Sequence, residues 1–86
     1  MADVLVRYFG AARAATGVDE ERLAGGRTLA AVLADLQARP GASGGPSLAK
    51  VLARSSFLLN EVALRDPATV LQDDDVLDVL PPFAGG

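Results

Sequence analysis

Cysteine and histidine are both absent from the chain, tryptophan does not occur, and lysine occurs once, at Lys50. Without cysteine there is no disulfide framework, no thiolate metal site and no cysteine redox chemistry. A small cysteine-free domain suits a reducing compartment, and a cytoplasmic location is the expectation. Without histidine the commonest general base is missing, so Ser55-Ser56 have no imidazole to activate them. Any chemistry carried by this chain must therefore run through something other than a side-chain triad. No apolar run approaches the roughly 20 residues of a membrane helix. Met1-Ala2-Asp3-Val4 also lacks the basic start and apolar stretch of a secretory signal.

What is present fits one small domain. The chain has 86 residues, half of them hydrophobic, and a domain of this size buries about 60% of the surface its unfolded chain exposes. The net charge of −3 comes with no basic stripe. Nucleic acid is a poor partner for such a surface, because few counterions would be displaced on binding. A protein partner with a basic groove fits better.

Along the chain, Val4, Val6 and Tyr8 alternate with Leu5, Arg7 and Phe9, which predicts a first strand ended by Gly10. Ala11 to Thr16 can make a helical turn, and Glu20 to Leu23 a second strand paired with the first. After Gly25-Gly26, Thr28 is placed to cap a helix running to about Arg39. Leu29, Val32, Leu33 and Leu36 form its apolar stripe, Arg39 suits its dipole, and Pro40 stops it. Pro40 to Ser47 reads as an exposed, mobile Gly/Ser/Pro loop. Ser47 can cap a short helix carrying Leu48, Val51 and Leu52. Phe57 to Asn60 reads as a strand, Asn60-Glu61 as a tight turn into Val62 to Leu64, and Asp66-Pro67 as a further turn. Asp73-Asp74-Asp75 marks a polar corner, and Val76 to Leu80 the last strand, ended by Pro81-Pro82. The order is strand, strand, helix, strand, short strand, strand. It predicts an α+β domain of β-grasp type over residues 1–80, a mixed sheet crossed by one main helix, with a protruding tail over residues 81–86.

That tail, Pro81-Pro82-Phe83-Ala84-Gly85-Gly86, is the most informative segment. The prolines stiffen the exit from the last strand. Two glycines without Cβ can thread a narrow channel and present the α-carboxylate of Gly86 to a nucleotide. A carboxylate becomes a useful electrophile once adenylation gives it a leaving group.

On these residues the chain resembles the MoaD/ThiS sulfur carriers, and among them the small-subunit branch of molybdopterin synthase. The likeness rests on the Val4-Leu5-Val6-Arg7-Tyr8-Phe9 strand, the Thr28-Leu29 helix start, Leu59-Asn60-Glu61, the Asp73-Asp74-Asp75 corner and, most specifically, Asp78-Val79-Leu80-Pro81-Pro82-Phe83-Ala84-Gly85-Gly86. The Pro40 to Ser47 loop departs from the family pattern. The resemblance implies that an E1-like enzyme adenylates Gly86 with ATP and magnesium, and that sulfur from a donor replaces AMP to give a thiocarboxylate. It further implies that the tail enters a large catalytic subunit, in a 2:2 assembly, and delivers sulfur to cyclic pyranopterin monophosphate, forming the dithiolene of the molybdenum cofactor. Gly85 and Gly86 would carry the chemistry, and Pro81, Pro82, Phe83 and Ala84 would steer the tail. The chain itself would bind no cofactor and no metal; ATP and magnesium belong to the activating partner.

Strand alternation puts Leu77 and Val79 on one face of the last strand and Asp78 and Leu80 on the other. Arg7 and Asp78 are expected in solvent. Leu5, Phe9 and Leu80 then form an outer apolar cluster beside the tail, so Phe9 and Leu80 join the partner-binding candidates. Arg13 reads as a solvated side chain, Asp19-Glu20-Glu21 as a solvated face, and Lys50 as a surface lysine. Asp73-Asp74-Asp75 lacks the spacing of a calcium loop, and Gly41 to Gly45 lacks the Gly-Lys-Ser/Thr of a phosphate loop. Other functions consistent with the same tail are sulfur delivery to thiamine or cysteine synthesis, conjugation to lysines as a ubiquitin-like modifier, and passive binding.

Overall fold

The computed structural model describes residues 3–39 and 47–82. Its strands are β1 (Asp3–Tyr8), β2 (Glu20–Ala24), β3 (Arg27–Thr28), β4 (Ser56–Leu59), β5 (Val62–Ala63), β6 (Val70–Leu71) and β7 (Val76–Leu80). The helices are α1 (Ala11–Thr16), α2 (Leu29–Gln37) and α3 (Leu48–Arg54). Five strands form one mixed sheet in the order β2-β1-β7-β4-β5, while β3 and β6 pair as a separate short ribbon. β7 runs parallel to β1 and antiparallel to β4, so the last strand occupies the middle of the sheet. This is the α+β, ubiquitin-like β-grasp arrangement, with α2 packed across the sheet.

The alternation of β1 becomes its burial. Val4, Val6 and Tyr8 are buried, and Leu5 and Arg7 are half-buried on the opposite face. Val6, Leu77 and Leu59 stand side by side in the inner row, with Tyr8, Val79 and Phe57 in the next. Leu29, Val32 and Leu36 of α2 close over this face, joined by Leu48 and Leu52 of α3 and by Ala12 and Ala15 of α1. Among the described residues, no helix is long and apolar enough to cross a membrane.

Local chemistry explains the boundaries. Thr28 caps α2 by accepting a hydrogen bond from the Ala31 N–H at 3.1 Å, and Ser47 caps α3 through the Lys50 N–H. Gly17 ends α1 at φ 79°, a left-handed conformation open to glycine at no steric cost. Asn60 and Glu61 both take positive φ, the geometry of a type I′ hairpin turn, which joins Leu59 to its partner Val62. Asn60 also accepts from the Val76 N–H and donates to Asp75 Oδ1, both at 2.9 Å, tying the turn to the start of β7. At the polar corner, Asp75 Oδ2 accepts from the Gln72 N–H and Asp73 Oδ1 from the Asp3 N–H. The corner is thus a backbone-satisfying turn.

Several expectations are corrected. α2 ends at Gln37, so Arg39 lies beyond its last turn. Its guanidinium instead donates to Glu21 at 2.8 Å. Glu21 is accordingly not part of a solvated face: it also accepts the Tyr8 hydroxyl at 2.8 Å and is half-buried. The β3–β6 ribbon was not expected. Each of its strands has two residues, too few to show a period, and only their pairing reveals them. The Pro40 to Ser47 loop lies outside the described residues except for Ser47.

Burial, together with the hydrogen bond to Glu21, raises the Tyr8 hydroxyl well above its ordinary range. The folded state therefore keeps a proton that the unfolded chain loses near pH 10. The resulting stability is fully present below that pH and declines as pH rises above it. Tyr8→Phe is expected to flatten this loss above about pH 10, read as denaturant midpoint against pH. It should also lower stability at neutral pH by about 0.5–3 kcal/mol.

Candidate functional site

The site is built at the end of β7, where the chain leaves the middle of the sheet. Phe9 extends β1 and donates its backbone N–H to Val79 O at 3.3 Å, which places it beside Leu80. On the other flank, Ser56 of β4 pairs with Leu80. Phe9 is 42% exposed, Leu80 and Pro81 are half-buried, and Pro82 is exposed. The structure thus places Phe9 beside Leu80 on the outer face, while Pro81 and Pro82 follow at the end of β7 and line a groove with α1 and α3. Phe83, Ala84, Gly85 and Gly86, the remaining candidates from the sequence, lie outside the described residues.

One row down the outer face, Arg7 and Asp78 form a two-pronged pair, Nε to Oδ1 at 2.6 Å and Nη2 to Oδ2 at 2.8 Å. Asp78 was expected in solvent, but it is 5% exposed. Its neighbours explain the difference. Arg7 covers it from β1 and Leu58 stands beside it on β4. A carboxylate can be held there because the planar guanidinium satisfies both oxygens. The bond to Asp78, reinforced by its charge, raises the Arg7 pKa. The guanidinium also sits 6.0 Å from the centre of the Phe9 ring, a cation–π distance. The last strand is therefore braced two residues before Leu80.

The outer apolar face is larger than expected and differently arranged. Leu5 belongs to it but pairs with Val76 at the start of β7. That places it four residues, or about 13 Å, from Leu80 and away from the tail exit. Val76 and Leu58, both half-buried, extend the face. They were missed, although the inward positions of Leu77 in β7 and of Phe57 and Leu59 in β4 carried the signal through strand alternation. Arg13 pairs with Asp19 at 3.5 Å, and both side chains are so exposed that the pair contributes little.

A mixed sheet with its terminal strand at the centre, a helix across one face and an apolar opposite face define a ubiquitin-like protein. Its last strand leads into Pro81-Pro82. The chain belongs to the ThiS family, which matches residues 6–86, and is a ubiquitin-like sulfur carrier of the MoaD/ThiS type. It is similar to a chain in the complex of subunits 1 and 2 of molybdopterin-converting factor from Helicobacter pylori 26695. The two are 27% identical over 98% of this chain and 99% of the other, with a TM-score of 0.72. It is also similar to small archaeal modifier protein 1 of Methanosarcina acetivorans, at 28% identity over 100% and 98% of the two chains and a TM-score of 0.75. SAMP1 of Haloferax volcanii shares the fold, with a TM-score of 0.73 at 20% identity over 99% of this chain and 100% of that one. No curated protein matches the chain by sequence.

Proposed function

We propose that the chain acts through the α-carboxylate of Gly86, as the sulfur-donating small subunit of molybdopterin synthase. The observation that carries this reading is the likeness, over essentially the whole of both chains, to the H. pylori subunit seen in complex with its partner. The braced exit of β7 through Pro81-Pro82 supports it, because a rigid platform fixes where the tail begins.

The chemistry is divided between proteins. A carboxylate oxygen of Gly86 attacks the α-phosphate of ATP in an E1-like enzyme, with magnesium, and expels pyrophosphate. Hydrosulfide released by a sulfur donor then attacks the acyl carbon and expels AMP, and loss of its proton leaves a thiocarboxylate. In a large partner subunit that sulfur is passed to cyclic pyranopterin monophosphate. This chain supplies reach and docking, and the partners supply activation and the pocket. Reconstitution tests the reading: thiocarboxylated chain is mixed with the large subunit and its precursor, or with a thiazole-forming acceptor. Sulfur consumption by the first alone is expected, and consumption by the second alone would overturn it.

The docking role makes a prediction at Leu80. Covering the rest of this half-buried side chain with a partner is worth roughly half of a full burial, about 1–1.5 kcal/mol, and the glutamate adds the cost of burying a charge. Leu80→Glu should therefore weaken binding to the large subunit by about tenfold or more, with circular dichroism unchanged. Unaltered affinity in a calorimetric titration would remove Leu80 from the interface.

A second reading is favoured by the likeness to the M. acetivorans modifier protein. The activated Gly86 would then be attacked by a lysine amine instead of sulfur, giving an isopeptide. Adducts that survive reductant, with Gly86 joined to a target lysine, would establish this use.

A further inference from the structure

We propose that the groove between α1, α3 and the end of β7 is a docking site for an acidic, partly apolar segment of a partner protein. The groove measures about 600 Å³. Ala11, Val51, Ala53 and Pro81 give it an apolar lining, and Lys50 and Arg54 stand along the same lining. These two cations lie one turn apart on α3, separated by about 6 Å of helix rise. Their charges therefore act together on whatever enters.

Charge complementarity selects the occupant. Arg7, Arg13, Arg27 and Arg39 each pair with an acidic side chain of the domain. No described side chain forms an ion pair with Lys50, Arg54, Arg22 or Arg65, and of these four Lys50 and Arg54 line one groove together. On a chain of net charge −3, the groove is a local reversal of sign, placed where the tail leaves the sheet. A segment carrying carboxylates beside a small apolar side chain matches both parts of the lining: charge-assisted hydrogen bonds to the cations and contact with Val51 and Pro81. Solvated surface cations alone would not require the apolar lining they share here. Pro81 and Pro82 line the groove, so it lies beside the exit that a tail-binding partner must approach, and the segment is assigned to such a partner. The inference rests on the proposed function only for which protein carries the segment, and the groove's own preference can be measured without that protein.

The test uses the full-length, isotope-labelled chain and the capped peptide Asp-Leu-Asp-Phe-Glu-Asp as probe. Amide shifts are followed by NMR against a peptide with Asn and Gln in place of the acids. The expected result is saturable binding centred on residues 50–54, weakened about tenfold by Lys50→Glu/Arg54→Glu and by added salt. Both side chains are exposed, so the variant should keep its thermal midpoint, and Lys50→Gln/Arg54→Gln provides a milder second case. Equal binding of the neutral peptide, or undiminished binding by both variants, would overturn the proposal. In the free chain, a change in the Gly85 and Gly86 amides on charge reversal would instead make the chain's own tail the occupant. Concentration-dependent shifts without peptide would make it a second copy. Either result overturns the assignment to a partner. Failure of sulfur loading, by contrast, would leave these binding data standing and fault only the proposed function.

Discussion

Deletion of Gly86 is expected to reduce loading by the activating enzyme about a hundredfold or more while leaving the fold unchanged. The deletion leaves a carboxylate on Gly85, but that group falls short by about 3.3–3.6 Å, the span of one extended residue. Acyl transfer needs its reacting atoms within about 3–3.5 Å, and misplacement by about 1 Å can cost a hundredfold. Among the described residues the last strand ends at Leu80 and the core lies among α1, α2, α3 and the inner face of the sheet. ATP–pyrophosphate exchange supported by the variant, set beside its thermal midpoint, gives both readings. Normal exchange would place the reacting carboxylate elsewhere.

Leu77→Ala should have the opposite profile, with large loss of stability and chemistry intact in the molecules that remain folded. Leu77 is fully buried at the centre of β7, between Val6 of β1 and Leu59 of β4. Strands on both sides hold the backbone, so the cavity cannot readily collapse. Truncation there is expected to cost about 2–5 kcal/mol, a large share of the 5–15 kcal/mol that stabilises an ordinary domain. A lower urea midpoint with an unchanged slope would report it. A loss below about 1 kcal/mol would mean that the inner row is less tightly packed than its burial indicates.

How much of this could be read from the sequence depended on whether a signal was local. The β1 alternation, the Leu29-Val32-Leu33-Leu36 stripe, the Thr28 and Ser47 caps and the Asn60-Glu61 turn all follow from neighbours within one or two turns of chain, and the structure contains each of them. Burial of Asp78 is different. Its partner Arg7 lies 71 residues away, and charge alone pointed to solvent. Glu21 was misplaced for the same reason, because Tyr8 and Arg39 reach it from β1 and from beyond α2. The ribbon of Arg27-Thr28 with Val70-Leu71 carries no period at all and exists only as a pairing.

The candidate site divides in the same way. Pro81-Pro82 and the glycines beyond them form a contiguous signature, legible before any fold is known. The surface around the exit is assembled from distant segments: Phe9 beside Leu80 by parallel pairing of β1 with β7, and Lys50 and Arg54 beside Pro81 by the packing of α3. Residue types suggested the chemistry proposed for the tail, while topology built the platform at the end of β7.

Intact mass of the chain after incubation with an E1-like activator, ATP, magnesium and a sulfur donor tests the central claim most directly. Fragmentation must locate the change, because oxidation of Met1 has the same nominal mass as exchange of oxygen for sulfur. The account predicts a sulfur-for-oxygen exchange at Gly86, absent from the chain lacking that residue. An unmodified Gly86 in the presence of a competent activator would contradict it.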